Sequence, residues 1–199
     1  MIDACQLGDA RSELAAIGPA SSNDLGPLWN AVHLKEAQAA STCPDVHDVM
    51  ARFIGPSKER DQASVRADSL AISATRDALG DGDLDVAATA LACASPYASH
   101  GPEGRSLRAT AALERAKRCL AGKDWPCARA MAKVAYALGA PDATTITTSA
   151  YAAIQGEFDA DLASARAETD VSHRVELENN ALTLWATYLA AQASREPQP

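Results

Sequence analysis

Cys43 and His47 come closest, by type and spacing, to a metal site. They stand four residues apart, so a helix would carry a thiol and an imidazole on one face, which is half of a zinc site. A tetrahedral zinc ion needs further ligands, and no second pair nearby supplies them. We therefore predict no metal site and no cofactor.

Asp81, Asp83 and Asp85 alternate like the start of a calcium-binding loop. An EF-hand also needs a glycine and a glutamate farther along, and the chain has Val86 and Ala92 at those positions. The acidic residues are instead expected to cap the helix that follows, because a helix N-terminus favours negative charge.

The other histidines do not form a catalytic pattern. His33, His100 and His173 lie in separate segments, and no reactive serine or cysteine motif stands beside them. The chain also has no glycine-rich phosphate loop. We predict that the protein is not an enzyme, and we assign no catalytic residue.

The cysteines are odd in number, so at least one is unpaired in a monomer. The five are Cys5, Cys43, Cys93, Cys119 and Cys127. Cys119 and Cys127 flank a predicted turn, so a disulfide could join them in an oxidising compartment. The favoured alternative is that the cysteines are small buried thiols.

Charge and hydropathy narrow the possible partners. The formal net charge is -8, and 18 lysines and arginines are scattered among 26 acidic residues, so we expect no nucleic-acid partner. No apolar run is long enough to cross a membrane. The opening residues resemble the middle of a helical unit, so two possibilities stay open: an excised piece of a larger protein, or a full-length chain. A cytoplasmic location is favoured, but a removed signal or anchor would allow an extracytoplasmic one.

Composition favours an all-helical fold. Alanine supplies 45 of the 199 residues and aromatic residues only 5%. Alanine loses no side-chain entropy in a helix, and no alternating run predicts a strand. The core must therefore consist of many close contacts between helices.

Three segments share an internal pattern: an Ala-rich helix, a turn around Gly and Asp, a large apolar residue, and a second helix. The turn glycines are Gly82, Gly122 and Gly156. Their spacings are 40 and then 34 residues. Asp142 is the predicted N-cap of the third segment, and Gly156 its turn.

The second segment is the most regular. A helix over residues 106–121 is followed by a turn at 122–124. Trp125 and Pro126 begin the next helix, which Gly139 and Pro141 end.

These segments resemble the tetratricopeptide-repeat (TPR) family. The residues of the second segment that carry the resemblance are Ala116, Lys123, Asp124, Trp125, Ala128, Ala135 and Pro141. The first supplies Gly82, Asp83, Leu84, Ala87, Ala94 and Pro96. The third departs from the family pattern, with Asp161 and Glu168 at positions where a small residue is expected.

The resemblance implies a right-handed solenoid of antiparallel helical hairpins with about 8–9 helices. We predict a single domain over residues 1–199. Irregular N-terminal helices occupy 1–58 (helices at 9–17, 24–40 and 44–53), repeat hairpins 62–170, and a C-terminal helix 174–194. That last helix is expected to cap the final hairpin, with partner docking or self-association as the alternative.

The TPR-like register also implies a concave binding groove. Its predicted lining includes Ile72 and Arg76 of the first segment, Leu113 and Lys117 of the second, and Ile146 of the third. Arg76 and Lys117 would face an acidic group on a peptide; the alternative is that both are ordinary solvated charges.

The predicted function is therefore a protein-protein interaction scaffold or adaptor that binds a peptide or partner protein. The alternative is a regulatory or sensory helical domain of a larger signalling protein. Partner and oligomeric state stay open.

Overall fold

The computed structural model describes residues 4–16 and 22–189, with side chains from residue 7 in the first range and from residue 25 in the second. Over these ranges the chain is all-α, as predicted, with no strand. The ten helices are α1 (Ala4–Ala16), α2 (Ser22–Ala39), α3 (Cys43–Met50), α4 (Lys58–Gly80), α5 (Leu84–Cys93), α6 (Pro96–His100), α7 (Pro102–Ala121), α8 (Trp125–Ala137), α9 (Ala143–Ala167) and α10 (Val171–Leu184). A π-helical turn, Trp185–Leu189, follows α10.

Packing divides the chain into two compact units, Met1–Leu107 and Arg108–Pro199. The core of the first unit forms where α2, α3 and α4 meet. The helix α4 buries one residue per turn on a single face, and these residues are Ala63, Ala67, Ala71, Thr75 and Ala78. Four of the five are alanines, whose small side chains let neighbouring helices approach closely. Val46 and Phe53 fill the space beside them.

A buried amide ties α2 to the segment after α3. The Asn30 side chain donates to the Ile54 carbonyl oxygen at 3.2 Å and accepts from the Ile54 backbone N–H at 2.9 Å. The oxygen and the nitrogen of the amide each have a partner, which offsets the cost of burying Asn30.

The predicted turn between α4 and α5 is confirmed. The Asp83 N–H donates to the Ala78 carbonyl at 2.8 Å and the Gly82 N–H to the Leu79 carbonyl at 3.1 Å, which is the Schellman pattern. Gly82 has a left-handed φ of 75°, which glycine adopts without steric cost. The Asp83 side chain then caps α5 by accepting from the Val86 N–H at 3.0 Å, as expected for this acidic run.

The turn between α7 and α8 has the same hydrogen bonds. The Asp124 N–H donates to the Cys119 carbonyl at 2.9 Å and the Lys123 N–H to the Leu120 carbonyl at 3.1 Å. Asp124 caps α8 by accepting from the Cys127 N–H at 3.1 Å. The left-handed position is Lys123, with φ 59°, and not the adjacent Gly122.

The predicted third hairpin is wrong. The helix α9 runs unbroken from Ala143 to Ala167, and Gly156 lies inside it. A helical glycine costs only about 1 kcal/mol relative to alanine, and burial of Ile154 and Ala165 on either side holds the helix together. Asp142 stands at the N-cap position but makes no capping hydrogen bond.

The partner of α9 in a hairpin is α10. Leu184 and Leu189 pack with Trp125 and Ile154 in one apolar cluster, so the end of the C-terminal segment packs against the middle of α9. Its predicted role as a cap stays a prediction. The predicted extension to residue 194 lies outside the described residues.

Glu168 organises the turn between α9 and α10. Its carboxylate accepts from the Thr169 and Asp170 backbone N–H groups at 2.8 and 2.9 Å and contacts His173 Nδ1 at 2.7 Å. The hydrogen bond from Asp170, followed by the one from His173, lowers the pKa of Glu168.

The N-terminal helices fall close to the predicted ranges, and the predicted break at Ser41 and Thr42 is present. The break at Gly18 and Pro19 lies outside the described residues. The single-domain organisation and the right-handed TPR-like arrangement stay predictions.

Candidate functional site

The two cations of the sequence-predicted groove already carry carboxylate partners. Arg76 forms an ion pair with Glu103 in the first unit. Lys117 Nζ lies 2.6 Å from Glu114 Oε1, one helical turn away in the second unit. Both pairs are exposed to solvent, so they resemble ordinary surface pairs, which is the alternative stated for them above.

The apolar residues of that predicted groove lie in or against the core. Ile72 and Ile146 are 9% and 6% exposed. Leu113 is half-buried and packs against the clusters around Ala112 and Ala116. These three side chains therefore stabilise their own helices and offer a partner little accessible surface.

A different concave surface lies in the second unit, which we call the α8–α9 groove. Its volume is about 520 Å³. The residues that line it come from α8, α9 and the π-helical turn: Pro126, Arg129, Ala130, Ala132, Lys133, Tyr136, Ala143, Thr144, Thr147, Tyr151, Thr187 and Tyr188.

Helix periodicity explains why α8 presents polar groups to this groove. The buried face of α8 carries Trp125, Ala128, Ala132 and Ala135, at steps of three and four residues. Residues one position farther along occupy the adjacent stripe, and Arg129, Lys133 and Tyr136 are on it. Packing of the alanine face thus aims two cations and a phenol into the groove.

Arg129 is held between two tyrosine rings. Its Cζ atom lies 5.3 Å from the centroid of the Tyr151 ring and 6.0 Å from that of Tyr188. Both distances fall within the range of cation–π contacts. Arg129 is half-buried, so its guanidinium is both oriented and partly removed from water.

The groove is locally cationic in an acidic chain. None of the described residues that line it is an aspartate or glutamate, and within the described part of the chain neither Arg129 nor Lys133 forms an ion pair. The hydroxyl groups of Tyr136 and Thr147 add hydrogen-bonding capacity. The arrangement is suited to an anionic group that approaches with apolar surface beside it.

The sequence contained a signal for part of this site. Arg129 and Lys133 are four residues apart, so they share a helix face. Because a turn was predicted at Gly156, the sequence did not indicate that α8 packs against the first half of one long helix, α9. Tyr151 and Tyr188 are 37 positions apart, and only the packing of the α9–α10 hairpin brings both rings to Arg129.

A second group with chemical potential surrounds Cys43. The structure joins Cys43 and Cys93 as a disulfide, with a Cα–Cα distance of 6.3 Å. His47 Nε2 lies 2.9 Å from the Cys93 carbonyl oxygen, and a ligand atom from each of the three residues lies within 4.8 Å of the others. The half-site recognised in the sequence therefore has a third member, Cys93, which is 50 positions away.

Cys119 and Cys127 are also joined, with a Cα–Cα distance of 5.7 Å. A disulfide between these two cysteines was one of the two alternatives stated from the sequence. Asp124, which lies close enough to complete a third ligand position, already caps α8 through its carboxylate. The second disulfide therefore acts as a link across a tight turn.

The remaining histidines stay apart. His33 is buried beside Trp29 and contacts Glu36 at 3.1 Å, whereas His100 bonds to the Pro96 carbonyl oxygen. His173 contacts Glu168. Each imidazole has a local structural partner, and no two of them converge.

Lys123 makes a contact between the α7–α8 turn and α9. Its ammonium group pairs with Glu157, and this hydrogen bond, with the charge of the carboxylate, raises the pKa of Lys123. The pair lies in the turn region and adds no group to the α8–α9 groove.

No family model matches this chain, and neither a curated protein nor a solved structure is significantly similar to it. None of the helices in the described ranges combines the length and apolarity needed to cross a bilayer.

Proposed function

We propose that this protein is a non-enzymatic interaction module that binds an acidic peptide segment of a partner protein in the α8–α9 groove. The observation that carries the proposal is the pair Arg129 and Lys133, which face a groove whose described lining has no carboxylate, in a chain of net charge -8. The proposal keeps the scaffold or adaptor role expected from the sequence. It assigns the binding site to the α8–α9 groove and not to the surface around Arg76 and Lys117.

Charge complementarity favours a carboxylate-bearing ligand. The guanidinium of Arg129 offers planar, bidentate donors for such a group, and the two tyrosine rings that flank it reduce the entropy lost on binding. Lys133 supplies a second, mobile cation one turn away. A nucleic acid is a poor match, because it needs many cations to neutralise its phosphates, and the described lining of the groove supplies two in a chain of net charge -8.

The walls of the groove favour a peptide. Tyr136, Tyr151 and Tyr188 provide apolar ring surface with polar tips, a combination enriched at protein interfaces. The volume of about 520 Å³ falls within the range of ligand sites. An extended segment with an acidic side chain and an adjacent aromatic or aliphatic one would use both features.

The matching turns of α4–α5 and α7–α8 support a related proposal, that these hairpins are units of a right-handed TPR-like solenoid. Both have a left-handed residue followed by a capping aspartate. A regulatory domain of a larger signalling protein would have the same hairpins, and the full-length gene distinguishes that alternative by any further domain that it encodes.

The binding proposal can be tested by fluorescence anisotropy with hexapeptides that carry a neutral dye. One set contains two glutamates beside a phenylalanine, and the matched set contains glutamines. We expect measurable binding of the glutamate set, and affinity that falls as salt is added. Arg129→Glu with Lys133→Glu should weaken it by at least about tenfold, because charge-assisted hydrogen bonds are lost and replaced by repulsion.

The matched control is Arg76→Glu with Lys117→Glu, which makes the same change in net charge on the sequence-predicted groove. This double variant should bind the glutamate peptides nearly as well as the unmodified protein. Circular dichroism should show that both double variants keep the helicity of the unmodified protein. Equal affinity for glutamate and glutamine peptides, or loss of binding only in the control, would refute the assignment to the α8–α9 groove.

A further inference from the structure

We propose that Cys43, His47 and Cys93 form a redox-gated zinc site: a disulfide in the oxidised protein, and a two-thiolate, one-imidazole zinc site after reduction. The proposal is independent of the α8–α9 groove, because all three residues lie in the first unit.

The three side chains are already assembled. The disulfide fixes Cys43 at the start of α3 next to Cys93 at the end of α5, and His47 follows Cys43 by about one helical turn. The ligand atoms lie within 4.8 Å of one another, so reduction requires only local adjustment to bring them around one ion. Two cysteines and one histidine form a three-ligand set that zinc accepts, with the fourth position left for water.

Cys43 is held in place by its helix. It is the first residue of α3, whose N-terminus is capped by the Thr42 hydroxyl, and it is buried. Its sulfur therefore stays in the same position relative to His47, one turn farther along α3.

The site is accessible from solvent, and hydrogen bonds hold the segment next to one of its ligands. Cys43 is buried, Cys93 half-buried and His47 exposed, so a reductant and an ion can approach from the solvent side. Asp68 of α4 accepts from the Ser95 N–H at 2.7 Å and from the Ser95 hydroxyl at 2.8 Å. These bonds hold the segment just after Cys93 when the covalent link is absent.

The chemical step balances with a dithiol as the reductant. The dithiol transfers two electrons and two protons to the disulfide, the S–S bond breaks, and the dithiol becomes a disulfide. Zinc then displaces both thiol protons. His47 binds through a ring nitrogen that bears a lone pair, and its hydrogen bond to the Cys93 carbonyl oxygen is given up or taken over by the other nitrogen.

The test uses the full chain with Cys5, Cys119 and Cys127 replaced by serine, so that only the proposed ligands can bind metal through sulfur. The protein is reduced, the reductant is removed without oxygen, and zinc alone is titrated with a competing chromophoric chelator. We expect one zinc per chain, with release of about two protons at neutral pH. Cobalt in place of zinc should show thiolate-to-metal charge-transfer absorption, and the oxidised protein should bind neither ion.

The decisive variant is His47→Ala, which changes an exposed side chain. It should weaken zinc binding by at least about tenfold, whereas His100→Ala, at another exposed histidine of the same unit, should leave it unchanged. Circular dichroism monitors folding: if reduction lowers helicity, zinc should restore it in the parent protein and not in His47→Ala. No zinc binding by the reduced protein, or binding that is equal in His47→Ala and in urea, would overturn the proposal.

Discussion

At the residue scale, the most informative position is Lys123. In the α4–α5 turn the left-handed position is occupied by Gly82, whereas in the otherwise equivalent α7–α8 turn it is Lys123. A residue with a Cβ atom is strained in this conformation. The two turns therefore offer an internal comparison of the same backbone geometry with and without a side chain.

We expect Gly82→Ala to destabilise the first unit by about 1–2 kcal/mol, because it introduces a left-handed side chain. The reverse change, Lys123→Gly, should raise the melting temperature of the second unit. The exposed ion pair with Glu157 that it removes contributes little.

Urea and thermal denaturation followed by circular dichroism measure both effects. Lys123→Gln serves as the control, because it removes the ion pair and keeps the strained backbone. A lower melting temperature for Lys123→Gly than for Lys123→Gln would show that the side chain matters more than the turn.

At the element scale, α9 shows how packing overrides a local signal. Gly156 follows Gly122 by 34 residues and was predicted to be a third turn glycine, yet it lies inside a 25-residue helix. No proline follows it to force a break, and the apolar residues on both sides continue at helical spacing. Helix propensity is a weak preference that tertiary burial can outweigh.

Gly156→Ala is therefore expected to stabilise the protein by about 1 kcal/mol. A Cβ atom added at this position meets no atom within 4 Å, so the substitution removes backbone entropy from the unfolded state without a clash. Equilibrium urea denaturation gives the free energy of unfolding.

The matched control is Gly55→Ala, where a Cβ atom also meets no atom within 4 Å but φ is 67°. This variant should be destabilised, because a Cβ atom disfavours the left-handed backbone conformation of Gly55, whereas the helical conformation of Gly156 accepts one. Destabilisation by Gly156→Ala would argue for a turn at that position and against a continuous α9.

At the scale of the whole molecule, each compact unit contains one disulfide. Cys43–Cys93 closes a sequence separation of 50 residues in the first unit, and Cys119–Cys127 closes one of 8 residues in the second. Because a cross-link restricts the unfolded chain more when it closes a longer loop, the two bonds should contribute unequally to stability.

We expect replacement of Cys43 and Cys93 by serine to lower the free energy of unfolding by about 4 kcal/mol, and replacement of Cys119 and Cys127 by about 2.5 kcal/mol. Urea denaturation of the oxidised double variants measures both values. A thiol titration of the unfolded, unreduced parent should find one free thiol, that of Cys5, whose side chain lies outside the described residues. Five free thiols, or equal losses of stability, would contradict this prediction.

Local chemistry in the sequence was enough to predict the helical class, the turns at Gly82 and at Lys123, and the acidic run that caps α5. These features depend on residues within a few positions of one another, so composition and periodicity reveal them. The apolar stripe of the C-terminal segment was also visible in the sequence, because its apolar residues recur at helical spacing.

Only the tertiary structure decided which distant residues meet. In the structure, α9 continues as one helix through Gly156. Cys93 lies beside the Cys43 and His47 pair, and Tyr151 and Tyr188 lie on either side of Arg129. Each of these results depends on contacts between helices far apart along the chain, and no local propensity encodes them. Cys43 and His47 were recognisable as half of a site from the sequence alone, but the other half required the fold.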